Sequence, residues 1–147
     1  MRCREVIRRK VVVCQEDHTV AECARLMKEH GIGFLPVVDG GDQVSGVLTD
    51  RDLVLRVLAE QRPADTPARA VMTRDVRVCH PGDSLRWAER RMAELRKSRL
   101  VVVDEDGHGV GVISLSDVAQ ADSRPLAGHV LYEISRREVS DQAAQPT

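Results

Sequence analysis

The sequence predicts an α+β fold made of two copies of one β-α-β-β-α unit, packed as a pseudo-two-fold pair, with a helix added after the second copy. Three observations predict it. Residues 5–53 align without a gap on residues 70–118, and fifteen aligned positions are identical, among them Val13/Val78, Cys14/Cys79, Leu35/Leu100, Gly46/Gly111 and Asp52/Asp117. Short β-branched runs alternate with helically spaced apolar residues at the same places in both copies. The proline-marked stretch Gln61–Pro67 separates them. A block of this length does not bury its apolar face alone, so the two copies pack together, and their seam is a natural place for a ligand.

In the first copy, Val11–Cys14 reads as a buried strand. Thr19 opens a helix, with Glu22 at capping-box spacing. Val20, Cys23, Ala24 and Met27 form its apolar face, and Gly31 closes it as a left-handed cap. Phe34–Asp39 is the next strand, Gly40-Gly41-Asp42 the turn, and Val44–Leu48 the returning strand. A second helix runs from Asp50 to Glu60. Pro36 has no N–H to give, so its strand lies at an edge or leaves that nitrogen unpaired.

The second copy repeats the plan. Val76–Cys79 is a strand, and Ser84 opens a helix with Leu85, Ala88, Met92 and Leu95 inward. Leu100–Asp104 and Val110–Ile113 are strands about the turn Glu105-Asp106-Gly107, and a helix follows from Leu115. Pro125–Val139 reads as an amphipathic helix carrying Leu126, Val130, Leu131 and Ile134. The expected boundaries are 1–60 for the first repeat, 61–69 for the linker, 70–122 for the second repeat, 123–139 for the last helix and 140–147 for a frayed tail.

With 147 residues, 42% hydrophobic and 31% charged, the chain can build a globular core. Its net charge is −1, with acids and bases interleaved, and its only aromatics are Phe34, Trp87 and Tyr132. Neither electrostatics nor base stacking argues for nucleic acid. The apolar runs fall far short of the ~20 residues of a membrane span. Met1-Arg2-Cys3-Arg4-Glu5 lacks the apolar stretch of a signal peptide, so a cytoplasmic location without a membrane is expected.

Cys3, Cys14, Cys23 and Cys79 show no Cys-x-x-Cys spacing and read as small buried residues. Trp87 lies off the inward helix face, as a half-exposed packing residue or as an anchor for a second copy. Arg86, Arg90, Arg91, Arg96 and Lys97, interleaved with Glu89 and Glu94, read as a solvated face. His30, His108 and His129 read as surface residues, and Asp104-Glu105-Asp106 as turn formers. No nucleophile stands beside a recognisable base, and there is neither a phosphate loop with its lysine nor metal-ligand spacing. An enzyme is not expected, and no cofactor is required.

The chemistry concentrates in one phrase, written as Gly46-Val47-Leu48-Thr49-Asp50-Arg51-Asp52 and again as Gly111-Val112-Ile113-Ser114-Leu115-Ser116-Asp117. Thr49 and Asp52 suit a helix cap and first turn, as do Ser114 and Asp117. The same geometry suits a ligand. Free N–H groups at a helix start accept an anion, the hydroxyls of Thr49 and Ser114 add to it, and the carboxylates of Asp52 and Asp117 can take two ribose hydroxyls. Arg51 adds a cation.

The repeated unit with its G-h-h-[ST]-x-x-D ending closely resembles the cystathionine-β-synthase (CBS) domain, and two in tandem resemble a Bateman module. The lead-in Ala70-Val71-Met72-Thr73 matches the family's usual opening, and the likeness spans residues 3–120. Arg99–Asp104 with Ser114–Asp117 is similar to an AMP-binding member of the family. The resemblance implies ribose on Asp52 and Asp117, and contacts to ribose or phosphate from Thr49, Ser114 and Ser116. It also implies a phosphate contact from Arg99. An adenine slot would be built from Val12, Val13, Cys14, Phe34 and Pro36, with Val78 and Leu100 opposite. The implied ligand is an adenine nucleotide (AMP, ADP or ATP) or S-adenosylmethionine. The implied assembly is a homodimer acting on an effector protein in trans. The copies differ at Phe34/Arg99, Pro36/Val101 and Arg51/Ser116, so the two sites are expected to be unequal, with the one around Asp52 first to examine. Two alternatives stay open: a ligand-free scaffold or stress-response dimer, and a metal- or thiol-responsive protein using Cys14, Cys79, His18 and His80.

Overall fold

Two three-stranded sheets carry the fold, one from each repeat, in the orders β1-β2-β3 and β4-β5-β6. The computed structural model describes residues 1–7, 11–121 and 128–136. The first repeat contributes β1 (Cys14–Gln15), α1 (Val20–His30), β2 (Phe34–Val38), β3 (Val44–Thr49) and α2 (Asp50–Asp52). The second contributes β4 (Val78–Cys79), α3 (Leu85–Leu95), β5 (Arg99–Val103), β6 (Gly109–Ser114) and α4 (Leu115–Gln120). A last helix, α5, covers 128–136. Single 3-10 turns stand at Cys3–Glu5 and Ala68–Ala70. The expected α+β plan is therefore present. The helix expected over Asp50–Glu60 is α for one turn only, then widens into a π-helical stretch, Leu53–Leu58.

The helix ends follow local chemistry. Thr19 Oγ1 accepts from Glu22 N at 3.1 Å and Glu22 Oε2 accepts from Thr19 N at 2.9 Å, closing the capping box ahead of α1. Gly31 ends α1 at φ 63°. Arg96 ends α3 in the same left-handed conformation, at φ 52°, where a side chain is disfavoured. On α3, Glu89 is fully buried, so it does not belong to the solvated face expected of it.

Pro36 shapes the first sheet. β2 is the central strand, so of the two possibilities its nitrogen is the one left unpaired. The parallel β1–β2 ladder starts at Cys14↔Val37, one residue past the proline. In the second sheet, where Val101 replaces it, the ladder includes Val78↔Val101. The missing N–H goes with a two-residue β1 that starts one position later than the equally long β4, and Val11–Val13, like Val76 and Arg77 in the second copy, stay outside the strand expected of them.

By internal packing the chain divides into two compact units. One comprises Lys10–Arg77 with Val103–Val110, and the other Met1–Arg9, Val78–Val102 and Gly111–Thr147. In the first unit, Cys14, Val20, Met27, Leu35, Val37 and Leu48 are joined by Ala68, Val71 and Met72. In the second, the equivalent Cys79, Leu85, Met92, Leu100, Val102 and Ile113 are joined by Cys3 and Val6, and by Val130 and Ile134 of α5. Each lead-in segment therefore completes the core of the other repeat. Fully burying each such Val or Leu contributes about 1.5–3 kcal/mol.

The exchange has a backbone cause. β3 has an open edge, and Val47 and Thr73 trade N–H···O bonds there at 2.9 and 2.8 Å. Gly46 makes room for this approach: a Cβ on it would lie 2.5 Å from Met72 Sδ. Gly111 does the same for Ile7 in the second unit. The helix expected over Pro125–Val139 is described only at 128–136, and the tail 140–147 lies outside the described residues.

Candidate functional site

Each repeat's phrase sits where its last strand turns into a helix. Thr49 ends β3 in extended conformation and caps α2. Its Oγ1 accepts from Asp52 N at 3.1 Å, and its own N–H donates to Asp52 Oδ2 at 2.9 Å. The Asp52 carboxylate, 13% exposed, presents its other oxygen 3.7 Å from Arg56 Nε. In the second unit Ser114 Oγ accepts from Asp117 N at 3.2 Å, while Ser114 N and Oγ both donate to Asp117 Oδ2, at 2.7 and 2.9 Å. Both aspartates are thus fixed by a capping box, with one oxygen held by backbone and the other turned elsewhere.

Asp52 and Asp117 differ in what faces that second oxygen. Arg56 stands one helical turn after Asp52, and the equivalent residue after Asp117 is Ala121. Arg56 Nη1 also donates to Val71 O at 2.9 Å and to Met72 O at 3.2 Å. It ties the phrase to the lead-in that closes the first unit. Arg56 was not among the residues singled out from the sequence, although its i,i+4 spacing from Asp52 marks an ion pair.

In the first unit, each first-turn N–H group read as an anion site has an internal acceptor. Asp50 N donates to Gly33 O at 3.0 Å, Arg51 N to Asp50 Oδ1 at 2.8 Å, and Asp52 N to Thr49. In the second unit Leu115 N donates to Ser98 O at 2.8 Å. What the first unit's phrase offers a ligand is therefore its side chains: a carboxylate oxygen, a hydroxyl and the exposed Arg51.

The remaining candidates divide cleanly. Val13, Cys14, Phe34, Pro36, Thr49, Arg51 and Asp52 belong to the first unit; Val78, Arg99, Leu100, Ser114, Ser116 and Asp117 belong to the second. Phe34 is the cross-strand partner of Thr49, which sets its ring beside the phrase. Val13 is half-buried, and Val78, Arg99 and Ser116 are exposed. Cys14, Pro36 and Leu100 are buried, so none of the three presents a side chain to a ligand.

For a metal, the proposed Cys14, Cys79, His18 and His80 do not form a group. Cys14 lies in the core of the first unit and Cys79 in that of the second. His18 Nδ1 accepts from Gln15 N at 3.0 Å, and His80 pairs with Asp83 at 3.6 Å. Among the described residues, Asp104, Asp106 and His108 are the group with ligand atoms close enough for one ion, all within 4.8 Å of one another. They form a turn in the β5–β6 hairpin, where Asp104 Oδ1 already accepts from Asp106 N and His108 N.

The sequence profile of the CBS domain matches residues 3–59 and 68–124. The chain belongs to the CBS domain family. Each match begins at a lead-in, so a family unit includes the segment that packs with the other repeat. Over 137 residues, 92% of this chain and 96% of the relative, it is 35% identical to the CBS domain-containing protein YhcV of Bacillus subtilis. Two solved structures share the fold. Hypoxic Response Protein I, with two coordinated zinc ions, superposes with a TM-score of 0.73 at 29% identity, over 82% of this chain and 98% of that one. The CBS domain protein PAE2072 of Pyrobaculum aerophilum, complexed with AMP, superposes with a TM-score of 0.75 at 24% identity, over 92% and 99%. No helix among the described residues is long and apolar enough to cross a membrane.

Proposed function

We propose that this chain is a regulatory module that senses an adenosyl ligand (AMP, ADP, ATP or S-adenosylmethionine) and signals its occupancy to a partner protein in trans. The observation that carries it is the duplicated capping box, which holds Asp52 and Asp117 with one carboxylate oxygen fixed by backbone; the other, which in Asp52 faces Arg56, is the proposed ribose acceptor. Thr49, Ser114 and Ser116 supply hydroxyls, and Arg51 and Arg99 supply cations for phosphate. The CBS fold houses AMP in the Pyrobaculum protein, which supports this class of ligand. Asp117 has no cation in the position of Arg56, so it is the fuller acceptor, and unequal half-sites follow. A second copy of the chain is a further proposed partner, supported by the exposed Val54, Leu55 and Leu58 after α2; sedimentation showing monomer at every concentration removes that part.

Calorimetry with AMP, ADP, ATP and S-adenosylmethionine tests the reading. A charged hydrogen bond is worth about 1.5–3 kcal/mol, so Asp52→Ala or Asp117→Ala in an occupied half-site weakens binding at least ~10-fold. Wild-type protein that binds none of the four at millimolar concentration refutes the function. Binding that survives both substitutions unchanged refutes the site.

A further inference from the structure

The outer face of α3 is more basic than its sequence implies, because the fold takes away one of the two acids interleaved there. Glu89 is fully buried, and Glu94 is engaged by Arg91 at 3.0 Å. On α5, Glu133 is held between Arg96, the cap of α3, at 3.5 Å and Arg136 at 3.7 Å. Arg86 and Arg90 stand one turn apart on α3. Both are exposed, and neither forms an ion pair or hydrogen bond among the described residues. α3, its cap and α5 thus set Arg86, Arg90, Arg91, Arg96 and Arg136 against two carboxylates outside the core, in a chain whose net charge is −1. Two exposed aromatics stand on the same helices. Trp87 has the Arg91 guanidinium 5.9 Å from its ring centre, and Tyr132 has that of Arg136 at 6.0 Å. Between the helices lies a cleft of about 310 Å³, lined by Arg90, Ala93, Glu94, Arg96, His129 and Glu133.

We propose that this α3–α5 face docks an acidic segment of the partner protein to which the module signals, with an Asp or Glu side chain of that segment entering the cleft beside Arg90. The proposal rests on the signalling role above and names the chemistry of its partner. The cleft is at the lower end of the ~300–1,000 Å³ of small-molecule sites, which enclose most of their ligand. Its walls include the exposed Arg90, Glu94 and His129, so it receives a side chain rather than enclosing a metabolite. Glu94 and Glu133 favour protein over nucleic acid: their oxygens can accept N–H groups of a peptide backbone, whereas a phosphodiester has none to give and is repelled by them. Trp, Tyr and Arg are also the residue types that carry most binding energy at protein interfaces.

Trp87 is the single tryptophan of the chain, so its emission reports events at this face. The test probes an array of tryptophan-free dodecapeptides of random sequence, each bearing several Asp or Glu, with the full chain, and titrates those that bind in solution. The expected result is a saturable change in Trp87 emission with acidic peptides and none with their Asn/Gln counterparts, weakening as salt is raised. Arg86→Glu with Arg90→Glu is expected to weaken binding at least ~10-fold, and Arg86→Lys with Arg90→Lys to retain most of it. Neither arginine has a partner to lose among the described residues, and neither belongs to the repeated phrase, so both variants fold and keep the adenosyl affinity of wild type. Three results overturn the docking face: no acidic peptide bound, binding indifferent to charge reversal, or tighter capture of labelled single-stranded DNA or anionic vesicles than of any acidic peptide. A change in sedimentation of the charge-reversed variant overturns it too, by making the face a contact between copies. Any of these with adenosyl binding intact leaves the sensing role standing; peptide docking without adenosyl binding removes the sensing role instead.

Discussion

Gly46 and Gly111 open the repeated phrase, and their cost of substitution tests how the two units are closed. Neither has a positive φ, so an added Cβ acts through space alone. At Gly46 it meets Met72 Sδ at 2.5 Å, Met72 Cγ at 2.9 Å and Thr73 O at 3.0 Å. Met72 is 5% exposed and packed in the core, and Thr73 is clamped to Val47 through both its N–H and its C=O. Accommodation requires the lead-in to lift. Overpacking costs about 1–3 kcal/mol and each lost backbone hydrogen bond about 1 kcal/mol, so Gly46→Ala is expected to cost about 3 kcal/mol. That corresponds to a fall in Tm of roughly 6–12 °C for a chain of this size. At Gly111 the contacts are all side-chain atoms of Ile7, the nearest at 2.7 Å. Ile7 can shift its rotamer, so about 1 kcal/mol is expected. At Gly33 the obstacle is the Asp50 carboxylate at 2.5 Å, which is exposed and swings into solvent, so Gly33→Ala is expected to lie within about 0.5 kcal/mol of wild type. Urea unfolding of the three variants gives the order directly. If Gly46→Ala costs no more than Gly111→Ala, the lead-in is not held as described.

The helix ends give an opposed pair. Gly31→Ala, at φ +63° with nothing within 4 Å of the new Cβ, is expected to lose about 1 kcal/mol by backbone strain alone. Arg96→Gly relieves the same strain at φ 52° and gives up a surface pair with Glu133 at 3.5 Å, so a gain of about 0.5 kcal/mol is expected; thermal melts in which it destabilises contradict this. Asp104 supplies the pH test. Backbone hydrogen bonds, that from His108 foremost, hold its carboxyl below the ordinary aspartate range. Its folded value lies below the unfolded one, so its stabilisation is present above the unfolded value and is lost as pH falls through the folded one. Carboxyl NMR titration is expected to find a midpoint below that of a free aspartate, and a midpoint at or above it removes the assignment.

Much of the fold was legible because its signals are local. The α1 capping box, the Gly31 cap and the hairpin turns each lie within a few residues, and their chemistry decides them. The compact units were not legible as drawn. The repeat assigns Val71 and Met72 to the second copy by alignment, yet they pack with the first, because the open edge of β3 takes Thr73. Alignment reports equivalence and says nothing about which copy of an equivalent segment fills a core. Glu89 was misplaced for a related reason: charge spacing on a helix shows which residues are polar, and tertiary packing decides which of them is covered. The phrase was legible as a cap and as a carboxylate site. That first-turn N–H groups of the phrase already have acceptors was not, because Gly33 O and Ser98 O arrive from residues well before it.

Arg56 is where the structural and functional readings of the phrase meet. It lies 3.7 Å from Asp52 and donates to the carbonyls of Val71 and Met72. A half-exposed i,i+4 pair alone is worth about 0.3–0.5 kcal/mol, but two hydrogen bonds from a charged donor to backbone raise the cost of moving this residue by about 1.5–3 kcal/mol each. The lead-in therefore anchors Arg56 more firmly than Asp52 does. A ribose hydroxyl that takes the second oxygen of Asp52 competes with the weaker of the two attachments and leaves the stronger in place. Ligand at this half-site would then reset the charge around Arg56 without releasing the core segment it holds. The second unit, with Ala121 in that position, has no such connection. The two copies of the phrase are thus equivalent as caps and unequal as places where a bound ligand touches the packing of the unit.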